Sequence, residues 1–394
     1  MQKEKSLNIF TFLVFLATLS AMGACYLDNT LLRLSSYISE CWLIGFCLLK
    51  TIKSNNRIFS KISVVVVSVI VLLNTLLSSN SPVYTNLLKF FGYLCCYNYG
   101  NYLSKRYESL KVNNILLYSL VLIPVITVAL FDHTLLKNAF FQTPNGFVFM
   151  GVSLGLFYAL IKGYSRKVFC LSCIFVAFYI SICSSLGVVV AATASFLLLN
   201  FKKSHLHYLV IGGVFLLLAI FYIDIPLFVR FRDVFTVWQS MTLDDWKNLQ
   251  ELSTYELSQR IDAVGERTDT TSSIWRIIHW AKIISAYFAN ILNIPFGLGA
   301  GYSVLWVGHA PHNDYLLLLA EYGIIVFLYF TKLVITSYKR LLKEGMLVYF
   351  IFTIFFYHLT ENLVENFPPN VLFYFCLGWC MNKYKKPTTS TTQS

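Results

Sequence analysis

Charge is what this chain has least of. Only 13% of its 394 residues are Asp, Glu, Lys or Arg, while 57% are hydrophobic. A soluble chain carries about 25% charged residues, so a water-facing globule of this size is excluded. No apolar run alternates with period two, which argues against strands and for helices that satisfy their own backbone in lipid. No internal repeat relates the two halves, although transporters commonly show one. Cysteine is missing where a disulfide would form: all ten residues fall in apolar runs and none in the long polar loop. The pair Cys170-x-x-Cys173 stands among Phe, Ile and Val, away from any βαβ pattern, so it reads as packing and not as a redox motif.

Long apolar runs are what the chain has in plenty. Twelve are long enough to be membrane spans: 7–27, 31–50, 62–79, 83–103, 112–131, 145–162, 168–186, 187–201, 208–223, 313–337, 345–363 and 367–382. Lys and Arg gather at every second junction. These clusters, from Lys3 and Lys5 to Lys383, Lys385 and Lys386, hold 20 of the 31 basic residues and only Glu4, Glu108 and Glu344 among the acids. Basic residues mark cytoplasmic loops, so both termini are expected in the cytoplasm. The net charge of +12 is therefore a topology mark and gives no support to a nucleic-acid partner. The first run resembles a signal, but eleven further spans favour a retained helix. The expectation is an all-α polytopic membrane helix bundle of about 12 transmembrane helices with one large ordered outer loop. Residues 1–223 carry spans one to nine, 224–312 the loop, 313–382 spans ten to twelve, and 383–394 a disordered cytoplasmic tail.

The loop concentrates the polar chemistry. After Thr270-Thr271-Ser272-Ser273, the segment from Ile274 onward predicts an amphipathic helix with Arg276, His279, Lys282, Asn290 and Asn293 within one third of its circumference, ended by Pro295. A capped helix start followed by Arg276 is a natural anion site; the plainer reading is a basic stripe turned to water or lipid headgroups. The glycines of Asn293-Ile294-Pro295-Phe296-Gly297-Leu298-Gly299-Ala300-Gly301 have no preceding strand and no following Gly-Lys-Ser/Thr. They predict a tight turn and not a nucleotide loop. At the mouth of the tenth span stands His309-Ala310-Pro311-His312-Asn313-Asp314-Tyr315-Leu316, running on to Glu321-Tyr322-Gly323. Imidazole is suited to taking a proton from a hydroxyl near neutral pH. His309, His312 and Asp314 also suggest metal ligands, but Pro311 spoils regular spacing and the base reading is preferred. Trp275, Trp280, Tyr302 and Trp306 are candidates for stacking on sugars.

Arg276, then Asn293-x-Pro295-x-Gly297-x-Gly299, then His312-Asn313-x-Tyr315-Leu316-x4-Glu321-x-Gly323 resembles the O-antigen ligase and O-antigen polymerase family. The motifs cover roughly residues 272–330, and the layout of spans extends the likeness to the whole chain. The resemblance implies a metal-independent, cofactor-free glycosyltransferase of the bacterial inner membrane, with its active site on the periplasmic face. Its donor would be an undecaprenyl-pyrophosphate-linked glycan and its acceptor a glycan or lipid A-core, with chain-length regulators as partner candidates. By position His312 would be the base, Asn313 would orient it or the sugar, and Arg276 would grip the pyrophosphate. His309, Asp314, His279, Lys282 and Glu321 would support them, Glu321 and Gly323 chiefly by shaping the helix. Many members carry a Ser-Arg-Gly-like element where the seventh span meets the eighth. Here Ser184-Ser185-Leu186-Gly187 has no cation. Arg33, Lys89, Arg230 and Arg232 are the candidates to supply it, Lys89 because a cation within a span is functional by default. Glu40 shares a helix face with Arg33 and reads as a structural tie.

Two enzyme readings follow from the likeness: a polymerase of lipid-linked repeat units, and a ligase moving O-antigen to lipid A-core. A polysaccharide flippase is the reading from another class. The gathering of polar chemistry in one asymmetric outer loop disfavours it.

Overall fold

The computed structural model describes residues 2–27, 30–52, 82–130, 144–163, 165–183, 185–200, 241–248, 271–307, 311–342 and 347–383, with scattered single residues between them. Among the described residues all regular structure is helical. In chain order the helices are α1 Gln2–Leu27, α2 Thr30–Ile52, α3 Pro82–Arg106, α4 Asn114–Leu130, α5 Pro144–Lys162, α6 Arg166–Cys183 and α7 Leu186–Asn200. They continue as α8 Leu243–Lys247, α9 Thr271–Phe288, α10 Asn293–Phe296, α11 Tyr302–Val307, α12 Asp314–Leu341, α13 Leu347–Tyr357 and α14 Phe367–Lys383. Most of the expected spans 62–79 and 208–223 and of residues 224–270, with His309, Arg230, Ser184 and the tail beyond Lys383, lies outside the described residues.

Three described helices are long and apolar enough to cross a membrane: Lys5–Gly23 of α1, Asn145–Lys162 of α5 and Asp314–Leu341 of α12. Gly187–Asn200 and Leu347–Tyr357 are apolar but shorter. Large apolar side chains such as Leu31, Trp42, Ile115, Ile174 and Phe196 lie exposed on the bundle. Extensive exposed apolar surface marks a membrane or partner contact, which fits the scarcity of charge.

The core forms around α14, which packs on α3, α5, α1 and α12. Its 17 residues are buried from Phe367 to Phe373 and from Phe375 to Met381. Pro368 and Pro369 sit in its first turn, where a missing N–H costs no hydrogen bond. The crossing of α3 and α14 is a backbone contact. A Cβ on Gly100 would stand 2.1 Å from the Phe375 carbonyl oxygen, and one on Gly378 would stand 2.0 Å from that of Tyr97. Only glycine, with no Cβ, lets the two backbones approach this closely. Around it stack Phe10 on Phe375 at 4.5 Å and Tyr93 on Tyr374 at 5.3 Å. Other contacts pair α1 with α2, α2 with α3 and α5 with α6, while α13 lies against both α7 and α5.

Two expected boundaries move. The run 345–363 is helical only to Tyr357, because its last six residues include Thr360, Glu361 and Asn362, which serve other partners. The amphipathic helix ends at Phe288, before Pro295; the turn over 289–292 stops it, and Pro295 lies inside the short α10.

Candidate functional site

The site begins with a carboxylate that never meets solvent. Asp314 opens α12, fully buried, and its Oδ2 accepts from His358 Nδ1 at 2.6 Å, Leu363 N–H at 2.8 Å and Val364 N–H at 3.1 Å. Its own N–H donates to the His358 carbonyl at 2.8 Å. A buried carboxylate needs such compensation, and here the donors come from the turn joining α13 to α14. The rest of that turn is pinned through its carbonyls. Asn370 Nδ2 donates to Leu363 O, the Tyr93 hydroxyl to Val364 O and the Lys89 ammonium to Glu365 O, the last at 2.8 Å. Residues 358–366 are therefore held rigidly over the start of α12.

Glu361 rides on this turn. Its carboxylate, 4% exposed, lies 3.0 Å from the Arg276 guanidinium through Oε1 and 3.1 Å from His312 Nδ1 through Oε2. Arg276 also donates to the Thr360 carbonyl at 2.9 Å. Arg276 and His312 are each about a quarter exposed, 24% and 26%, so both reach outward from a buried acid. Of the five N–H groups of a guanidinium, two are used by described residues, and the buried Nε is among those left over. With Nδ1–H donated to Glu361, the lone pair of His312 rests on Nε2, the tautomer in which that atom accepts a proton.

His312 reaches this place through strained backbone. Its φ of +50° is the only positive value outside glycine among the described residues. Such conformations cost of order 1–3 kcal/mol and persist where surroundings over-determine them. Here Trp280 Nε1 donates to the Pro311 carbonyl at 2.5 Å on one side. On the other, Asn313 is extended and caps α12, its Oδ1 accepting from Leu316 N–H at 3.1 Å. The Trp275 ring stands between two imidazoles, 5.3 Å from His312 and 3.9 Å from His279.

The polar stripe of α9 thus faces the protein in its first half. His279 is buried and Arg276 turns onto Glu361, because a stripe of Trp275, His279, Ile283 and Tyr287 at i, i+4 spacing packs inward. Lys282 is half-buried on the same helix. For Arg276 and His279 the expectation of a stripe turned to water or headgroups is corrected.

The glycine segment and Glu321 form a second, structural cluster. α12 breaks at Gly323, whose φ of 83° and ψ of 172° are not helical. The break frees the carbonyls of Ala320 and Glu321, and Leu298 N–H and Gly299 N–H take them at 2.7 and 3.2 Å. The Glu321 side chain accepts from Gly301 N–H at 2.8 Å, Ser303 N–H at 3.2 Å and the Ser303 hydroxyl. A Cβ at Gly297 would lie 2.3 Å from the Glu321 carbonyl oxygen, and one at Gly323 would lie 2.3 Å from that of Pro295. The two glycine motifs are thus halves of one backbone-to-backbone joint.

The candidates for a further cation are scattered. Lys89 is spent on the Glu365 carbonyl, beneath the same turn that carries Glu361. Arg232 pairs with Asp224 and donates to the Phe221 carbonyl. Arg33 is exposed on α2, and Ser36 on that helix donates to Glu40. At the break between α6 and α7, Ser185 bonds Asn145 and the Tyr357 hydroxyl. A Cβ on Gly187 would touch Thr360, whose carbonyl Arg276 holds. The structure brings together Arg276, His312, Asp314 and the capping Asn313. Glu361 and His358, to which the sequence reading assigned no role, join them. The signal for both was available: ionisable residues at the end of an expected span. Among the described residues no group of three or more His, Cys, Asp or Glu is placed to hold a metal ion. No family model, curated protein or solved structure matches this chain.

Proposed function

We propose that this chain is a membrane glycosyltransferase that polymerises undecaprenyl-pyrophosphate-linked oligosaccharide repeat units on the periplasmic face of the bacterial inner membrane. The bundle would have about 12 spans, both termini in the cytoplasm and an ordered outer loop over 224–312. One observation carries the reading: a buried Glu361 that braces Arg276 and His312 side by side, each still partly open. In the transfer, the acceptor hydroxyl oxygen bonds to the anomeric carbon of the donor sugar while the bond from that carbon to the pyrophosphate oxygen breaks. His312 Nε2 takes the hydroxyl proton as attack proceeds. The pyrophosphate leaves with its electron pair onto the remaining guanidinium donors of Arg276, fixed before the charge develops. The donor would be lipid-linked glycan and the acceptor a growing glycan.

Purified protein supplied with lipid-linked repeat units alone tests the reading. A ladder of lengthened products is expected. Growth only after lipid A-core is added would assign a ligase instead, and full transfer by His312→Ala would remove the catalytic proposal. A flippase would move the donor across vesicles with no new glycosidic bond.

A further inference from the structure

The segment from the end of α9 through α11 has an unusual combination of properties. Its large exposed side chains are apolar: Phe288, Ile291, Leu292, Phe296 and Leu305 are between 49% and 79% exposed. About half of its backbone lies outside helices, yet most of its N–H groups are bonded within the protein. The N–H groups of Asn293, Ile294, Gly297, Tyr302 and Leu305 bond to carbonyls within the segment, and that of Leu292 bonds to Asn290 Oδ1. Those of Leu298 and Gly299 go to α12 carbonyls, and those of Gly301 and Ser303 go to the Glu321 carboxylate. Pro295 has no N–H to satisfy. A surface loop in water has no need of such closure, whereas irregular backbone at hydrocarbon depth is tolerated only when its polar groups are paired by protein.

The partner on α12 fixes the level. This helix is 28 residues long, apolar, and has Lys339 and Arg340 in its last turn. Counting a hydrocarbon core of about 20 residues back from Ser337 reaches about Leu317. Ala320 and Glu321, which receive the segment's N–H groups, then lie roughly 5 Å inside the outer boundary at about 1.5 Å rise per residue. Immediately beyond the break, Ile324, Ile325 and Leu328 of α12 are exposed, extending the apolar surface of the segment downward.

We infer that residues 288–305 form a re-entrant ledge whose occupant is the acyl-chain region of the outer leaflet, with Phe288, Ile291, Leu292, Phe296 and Leu305 inserted beneath the headgroups. The inference rests on α12 crossing the bilayer and is independent of the glycosyl-transfer reading. Glu321 then serves as an internal cap: its carboxylate replaces the water that the N–H groups of Gly301 and Ser303 would otherwise need. Because α9 also carries Arg276, the ledge ties the polar site to a fixed height above the hydrocarbon.

A fluorescent amino acid introduced at Ile291, Leu292 or Leu305 of the full chain, in phosphatidylcholine–phosphatidylglycerol vesicles, reads the environment directly. The expected result is loss of emission with phosphatidylcholine bearing a nitroxide near the head of its acyl chain, and little loss with aqueous iodide. A probe at Leu328 should also be quenched by nitroxide lipid. Iodide quenching of the ledge probes with lipid quenching at Leu328 would overturn the ledge while leaving the span. Shielding of the ledge probes from both quenchers would mean that protein covers them and would equally overturn it. Iodide quenching at Leu328 would remove the span, and the ledge with it.

Discussion

Glu361 shows how one buried charge can hold two working groups. Its carboxylate has a separate oxygen for each partner, Oε1 for Arg276 and Oε2 for His312. Glu361→Gln replaces one of those oxygens by an N–H donor that faces another donor. Turnover is therefore expected to fall more than affinity for the lipid-linked donor, with Glu361→Asp recovering part of it; the two are separated by kcat and KM. His312→Ala removes the proposed base and should cost roughly 10²–10⁴-fold in transfer rate, the usual worth of positioned proton transfer. Binding of labelled donor should persist in that variant. Arg276→Lys keeps the charge but loses the planar fork that serves Thr360 and Glu361 together, so donor binding is expected to weaken.

Among elements, the broken helix α12 and the segment over 293–303 depend on each other. Gly323 is in a conformation open to glycine, and a Cβ there would press on the Pro295 carbonyl. Gly323→Ala adds backbone strain of order 1–3 kcal/mol to a steric conflict that backbone cannot easily yield to. The variant should melt at lower temperature in detergent, and an unchanged Tm would contradict the joint. The same joint explains why the glycine-rich sequence could be read as a tight turn, while its partner could not be named. The partner lies about 20 residues away in a helix whose own glycine gave no sign of breaking. A lone glycine in a helical pattern is compatible with an unbroken helix, and only the carbonyls that it frees show the difference.

For the whole molecule, the sign and position of charge make the firmest prediction. Clusters holding 20 basic and three acidic residues would sit on the cytoplasmic side, leaving the rest of the chain with a net charge of −5. A reporter fused after Ser394 should be active only in the cytoplasm. A cysteine introduced at Lys282 should react with a membrane-impermeant maleimide added from outside; labelling only after lysis would reverse the topology. The core is less forgiving than the loops, because α3 and α14 touch through Gly100 and Gly378. Gly100→Leu should prevent stable expression, since backbone stands where the side chain would go.

Composition alone determined that the chain is helical and mostly apolar, because scarce charge and runs of hydrophobic residues leave a backbone few other ways to satisfy its hydrogen bonds in lipid. The motif around Pro311 and His312 was legible too, since polar residues crowded at the start of an apolar helix stand out locally. Glu361 stood out only as an ionisable residue at the end of an expected span; neither its pairing nor the inward turn of Arg276 could be read in this way. Both depend on Asp314 folding a turn about 45 residues distant onto its own helix end, and pairing of charges so far apart in sequence is decided by packing. Where a buried carboxylate finds its donors is a property of the tertiary structure, because only the folded chain removes the water that would otherwise serve them.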